Sequence, residues 1–138
     1  KIIDRMAGLA ASTTVTPATS PEELLRMRRL LDTIYLDDKV KGYIVDLVFA
    51  TREPDQVGLA KLKPLILYGA SPRASLALAR TARARAFMEG RGFVTPQDVK
   101  AVGSMVLRHR VLTTYEAEAE GVDSEELLRT IFDTVPVP

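Results

Sequence analysis

The sequence contains no cysteine, which excludes a disulfide framework and any thiolate metal site. Its single histidine, His109, excludes His–His and His–Cys metal clusters. No apolar run approaches the roughly 20 residues needed to span a bilayer. The first residues, Lys1 to Ala11, lack the apolar core of a signal peptide. A cytoplasmic location fits these absences. The chain opens on Lys1 without an initiating Met, so it is read as a piece excised from a longer protein. The net charge of +1 gives the molecule no strong overall field.

Recognisable catalytic signatures are also missing. There is no G-x-x-x-x-G-K-[ST] loop to cradle a triphosphate. No apolar strand ends in paired acids, so there is no obvious magnesium site. No nucleophile elbow is present. The chain on its own is therefore not expected to be an enzyme, and no metal ligands are assigned. His109 is expected to be a half-buried structural histidine.

What is present is enough for one domain. The 138 residues are 46% hydrophobic, which suits a modest core. The even charge balance hides an asymmetry. Residues 70–110 hold eight Arg or Lys against Glu89 and Asp98, a net of +6. The last 28 residues hold seven acids and only Arg129. Such a split points to a basic face for an anion, or to two faces that meet partners.

Residues 1–19 read as a linker, because after Ile2 and Ile3 the sequence turns to Ala, Ser, Thr and Pro. From Ser20 onward the signals are helical, and residues 20–138 form the domain. Ser20-Pro21-Glu22-Glu23 offers a capping box with proline at the first helical position. Leu24, Met27, Leu31 and Ile34 follow at helical spacing. A second helix starts near Asp37, with the stripe Val40, Tyr43, Ile44, Leu47 and Val48, and stops at Glu53-Pro54. Residues 54–70 read as a loop. A third helix begins at Ser71-Pro72 and runs to about Glu89, where Gly90 and Gly92 end it. A fourth begins at Thr95-Pro96-Gln97-Asp98, and a fifth near Asp123. An acidic loop covers Glu116 to Gly121. Short strand pieces are expected at Val111–Tyr115 and Ile34–Leu36. The predicted fold is all-α in the main, a small bundle of about five helices. Leu47, Val48, Leu78, Val102, Val106, Leu107, Ile131 and Phe132 are expected in its core.

One helix start breaks a local rule. The first turn of a helix exposes N–H groups and carries partial positive charge, so acids belong there. The helices at Glu22-Glu23, Gln97-Asp98 and Glu125-Glu126 obey. The segment Gly69-Ala70-Ser71-Pro72-Arg73-Ala74 instead places Arg73 in the first turn with no acid, at a cost of about 0.3–1 kcal/mol. An anion would remove the conflict, since free amides, the dipole and the guanidinium would all address it. Gly69 would permit close backbone approach. The plain alternative is an Arg73 that points into solvent or pairs with a distant acid. Arg80 shares the face of Arg73 and Arg83 lies near it, which reads as a basic face or an ordinary solvated one.

The segment G-A-S-P-R-A resembles the sensor 2 motif of MoxR-type AAA+ proteins. Three more stretches fit the same family in order. They are Ala50-Thr51-Arg52, then Gly90-Arg91-Gly92-Phe93-Val94-Thr95-Pro96-Gln97-Asp98-Val99, and Leu107-Arg108-His109-Arg110. Together they cover roughly Ser20 to Pro138. The resemblance implies the C-terminal lid domain of such an ATPase, closing over ATP held by a core domain and coupling hydrolysis to chaperone-like remodelling of protein complexes. It implies ATP and magnesium in the parent protein, with no nucleotide tightly held by the lid alone. It implies a role for Arg73 at the γ-phosphate, with Gly69, Ala70, Ser71 and Pro72 forming the surrounding nucleotide-binding segment. Implied partners are the AAA+ core of the same chain, neighbouring subunits in a hexameric ring, and proteins with von Willebrand factor A domains. Pro96, Asp98 and Arg91 look structural, and Arg52 suits the cap of its helix.

Three other readings compete. A lid of the magnesium-chelatase type lies within the same class. A nucleic-acid-binding helical module would use the +6 stretch. However, the fourth helix carries only Lys100 near its start, and recognition helices read bases with their N-terminal residues. Phe87 and Phe93, the only stacking candidates there, suit a core better. A structural adaptor bundle would leave the Arg73 conflict unexplained. Neither a nucleic-acid partner nor a membrane span is expected.

Overall fold

The computed structural model describes residues 15–138, so most of the linker expected over residues 1–19 lies outside the described residues. Six α-helices are present among the described residues: α1 (Pro21–Leu30), α2 (Asp38–Arg52), α3 (Arg73–Met88), α4 (Pro96–Leu107), α5 (Tyr115–Ala119) and α6 (Ser124–Thr134). Two short strands, β1 (Ile66–Tyr68) and β2 (Leu112–Thr113), pair antiparallel. The domain is mainly helical, as the cap and stripe pattern implies. No helix among the described residues is long and apolar enough to cross a membrane.

Local chemistry starts the helices where the sequence places them. Ser20 and Thr95 each close a capping box, with proline at the next position, which satisfies two orphan donors reciprocally. Asp37 and Asp123 cap α2 and α6. Gly90, at φ +71°, follows α3 in a left-handed conformation that costs glycine nothing.

Packing then follows side-chain size. The buried face of α3 is Ala74, Leu78, Ala82 and Ala86, one residue per turn or so and mostly methyl groups. This narrow stripe lets α4 lie close, and α3–α4 is the most extensive helix pair. On α4, Gly103 faces the ring of Phe132 from α6, where any Cβ would collide with it. The stripe of α2, Val40 through Val48, is buried as the periodicity predicts. All eight expected core residues are buried.

Several expectations need correction. Helix α1 forms, yet it buries none of its residues; Leu24 and Met27 are exposed and only Ile34, beyond its end, enters the core. Caps make a helix locally, but among the described residues its apolar side borders only an open groove with Ala84, Phe87 and Met88 of α3. Residues 54–70 are not simply loop: Pro54–Val57 and Ala60–Leu65 are 3₁₀ turns and β1 follows. The acidic stretch after Thr114 holds α5, because the Thr114 hydroxyl accepts from Ala117 N and Ala117 is buried. The strand expected near Ile34–Leu36 is a single parallel bridge between Tyr35 and Phe93. Phe93 is exposed, with the Arg91 guanidinium 5.9 Å from its ring centroid. His109 is exposed beside Arg110 and not half-buried.

Candidate functional site

The segment Gly69–Arg73 joins β1 to α3. Gly69 is half-buried and Ala70 fully buried, while Ser71, Pro72 and Arg73 are exposed. Arg73 is the first residue of α3. Among the described residues no carboxylate pairs with it, and no side-chain cap or acid occupies the first turn. The guanidinium conflict read from the sequence is therefore present in three dimensions: a cation stands at the positive end of a helix with no carboxylate partner among the described residues.

The amides there are less available than the sequence suggests. Ala74 N donates to Ser71 O at 2.8 Å and Ser75 N to Pro72 O at 3.1 Å, a tight first turn that uses both groups. Pro72 has no N–H. Ala70 N donates to the Thr51 hydroxyl at 2.9 Å. Among the described residues that leaves the amides of Ser71 and Arg73 without an acceptor, so positive charge at this site comes from Arg73, these two N–H groups and the dipole behind them.

Gly69 also has a different reason from the one expected. Its backbone lies against the end of α2, not against open space for a ligand. A Cβ there would collide with the Thr51 carbonyl oxygen and stand 2.6 Å from its carbon and 2.8 Å from Arg52 Cα. Only glycine permits this approach. The Ala-Thr-Arg stretch and the Gly-Ala-Ser-Pro-Arg stretch, 19 residues apart at Thr51 and Ala70, are in direct contact.

Arg52, in the last turn of α2, is exposed. The expected cap is made by another residue: Lys63 Nζ reaches the Arg52 carbonyl at 3.5 Å and pairs with Glu53 at 2.8 Å and Asp55 at 3.2 Å. On α3, Arg80 is exposed like Arg73, while Arg85 bridges Glu89 at 3.4 Å and Asp98 at 3.7 Å. The basic face is neutralised at its far end and left open at its start. On α4, Lys100 is half-buried, and Arg108 just past its end pairs with Glu125 at 3.1 Å.

Sequence reasoning underestimated one pair. Arg91 grips Asp98 with two bonds, Nη1–Oδ2 at 2.8 Å and Nη2–Oδ1 at 2.6 Å. Asp98 is buried and also accepts from Thr95 N at 2.8 Å and the Thr95 hydroxyl at 2.9 Å. The Arg91 guanidinium, helped by the Thr95 donors and opposed by burial, pulls the Asp98 pKa down to about 2. The available signal was a cation seven residues before an N3 acid across a Gly-ended turn. This pair is structural and lies at the start of α4, away from Arg73.

With this geometry in hand, the family can be stated. Residues 61–131 match the AAA lid domain model, slightly over half of the chain; the chain belongs to the AAA lid domain family. It is 40% identical over 119 residues to Chaperone MoxR1 of Mycobacterium tuberculosis, covering 86% of this chain and 32% of that protein. It is 41% identical over 105 residues to Protein MoxR of Paracoccus denitrificans, covering 72% of this chain and 31% of that one. Among solved structures, a candidate ATPase from Cytophaga hutchinsonii matches with a TM-score of 0.94 at 36% identity, over 99% of this chain and 42% of that one. These relatives bear out the resemblance to MoxR-type lids read from the four motifs. The chain spans about a third of the length of the curated relatives it matches.

Proposed function

We propose that this chain works as the sensor 2 lid of a MoxR-type ATPase, with Arg73 addressing the γ-phosphate of ATP bound on an adjoining core domain. The observation that carries this reading is the exposed Arg73 guanidinium, without a carboxylate partner among the described residues, at an acid-free helix start. A guanidinium in this setting fits a phosphate, whose charge satisfies both it and the helix dipole. The segment Gly69–Arg73 carries no carboxylate, so it offers magnesium no charged ligand. Metal and most of the nucleotide belong to the core in this reading. The lid contributes one cation and a moving body. Arg73 stabilises charge on the transferring phosphoryl group and reports the nucleotide state by the lid's position.

In the same proposal, residues 1–19 link the core to a lid formed by residues 20–138. The whole protein assembles as a hexameric ring in the cytoplasm and performs chaperone-like remodelling, with von Willebrand factor A domain proteins among its partners. Chaperone MoxR1 carries that activity in its name. The isolated chain should not turn over ATP, because it has no phosphate loop.

The test is Arg73→Ala in the full-length protein at saturating ATP. Turnover should fall steeply. Comparable arginines supplied in trans are worth about 10³–10⁵ in rate, and a sensor that also reports state should contribute toward the lower end. Arg80→Ala, on the same face but about 10 Å further along at 1.5 Å per residue, should cost much less. Turnover for Arg73→Ala equal to wild type would remove the sensor role.

A further inference from the structure

We infer that Thr51, at the end of α2, is a positioning residue that sets where Arg73 stands, an inference that rests on the sensor reading of Arg73. Thr51 is fully buried, with 0% of its surface exposed. Its hydroxyl donates to Val48 O at 2.7 Å. That back-bond is common for a helical threonine and is unremarkable alone. It has a consequence, however. With its one proton committed, the hydroxyl has only lone pairs left to offer. One of them accepts from Ala70 N at 2.9 Å, across 19 residues of chain.

The contact is reinforced at the next residue. Gly69 presses its backbone against the Thr51 carbonyl and Arg52 Cα so closely that no side chain fits. Two consecutive residues before the helix are thus fixed to two consecutive residues of α2. From Ala70 onward nothing is free to drift. Pro72 has its φ held by the ring at −55°, and Ser71 O and Pro72 O are tied to Ala74 N and Ser75 N. Arg73 therefore inherits its place from α2, through a three-residue strut, as much as from its own helix. A guanidinium acts on a phosphoryl group only when well placed, and a misplacement of about 1 Å from a distant change can cost about 10²-fold in rate. Thr51 is fully buried and presents no surface to a ligand, but it holds the strut's foot.

A purely structural threonine would give a different pattern, which a double-mutant cycle in the full-length ATPase separates. The variants are Thr51→Val, which keeps the shape and removes the hydroxyl, Thr51→Ser, which keeps the hydroxyl, Arg73→Ala, and Thr51→Val combined with Arg73→Ala. The readout is kcat per folded molecule at saturating ATP, well below the unfolding midpoint. Thr51→Val should lower kcat about 10- to 10²-fold, and Thr51→Ser should restore most of it. In the Arg73→Ala background, Thr51→Val should add no further loss, because it has no guanidinium left to misplace. Independent sites add and coupled ones do not. Additive losses, or an unchanged kcat for Thr51→Val while Arg73→Ala is impaired, would overturn the inference and leave the sensor reading standing. A silent Arg73→Ala would overturn both. Should Thr51→Val not fold, Thr51→Ala removes the same hydroxyl and carries the same cycle.

Discussion

Helices α3 and α4 lie side by side, and each begins just after or at a proline, yet their starts are built on opposite principles. At α4 the cap and the charges have their partners inside the domain. Thr95 caps, Asp98 returns the bond and stays buried, and Arg91 neutralises Asp98 with two hydrogen bonds. At α3 there is no side-chain cap and no acid, and the local cation faces solvent. The first start is closed on itself and reads as structure. The second is held rigidly from behind by Thr51 and left open in front. A terminus that is well fixed but electrostatically incomplete suits the anion-binding role proposed for Arg73, and a merely loose terminus would not be anchored so well.

The largest way to break this comparison is to open the closed start. Asp98→Ala removes the acceptor for Arg91 and both Thr95 donors. Urea unfolding of the 138-residue chain should show a loss of about 3 kcal/mol. That is the low end for breaking a buried pair, because Arg91 is partly solvated. The same group makes the chain acid-sensitive. The folded Asp98 pKa sits at about 2, below its ordinary 3.8. Its contribution is therefore fully present above about pH 4 and is lost as pH falls toward 2, an effect of about 2 kcal/mol. Unfolding midpoints measured from pH 5 to pH 2 should fall for wild type and show a shallower slope for Asp98→Asn. The smallest effects contrast the two caps directly. Thr95→Ala should cost about 1 kcal/mol. Ser71→Ala should stay within a few tenths, since no side-chain cap is made at α3. Arg73→Ala should be neutral or stabilise the chain by a few tenths of a kcal/mol, as a cation leaves a positive terminus. A sizeable destabilisation by Arg73→Ala in the same urea series would close the gap between the two starts and argue for a structural arginine.

Much of this contrast was legible in the sequence because it is local. Caps, prolines and acids within one turn of each other settle where helices begin, and an Arg where an acid belongs is visible without coordinates. The apolar stripes of α2, α4 and α6 likewise predicted burial correctly. The failures were of two kinds. Helix α1 has the cap and the spacing but buries none of its residues among the described ones, and periodicity cannot say whether a partner exists. The roles of Thr51, Gly69 and Arg91 depend on residues 7 to 19 positions away. A hydroxyl that reaches a distant amide, or a glycine that admits a distant carbonyl, leaves no periodic trace. The motifs were seen as four separate stretches, and only the fold shows that two of them touch.

The fit between Gly69 and the end of α2 also sets a rule for anyone who transplants parts of this domain. The segment Gly69–Arg73 is not a portable cassette. Grafted onto another bundle without the last turn of α2, it would lose the hydroxyl that its Ala70 amide needs and the flat backbone that its Gly69 requires. The transferable unit is discontinuous, Val48–Arg52 together with Gly69–Ser75. Positions 51 and 69 have to be exchanged as a pair, since a larger residue at 69 demands a different path for the helix end beneath it.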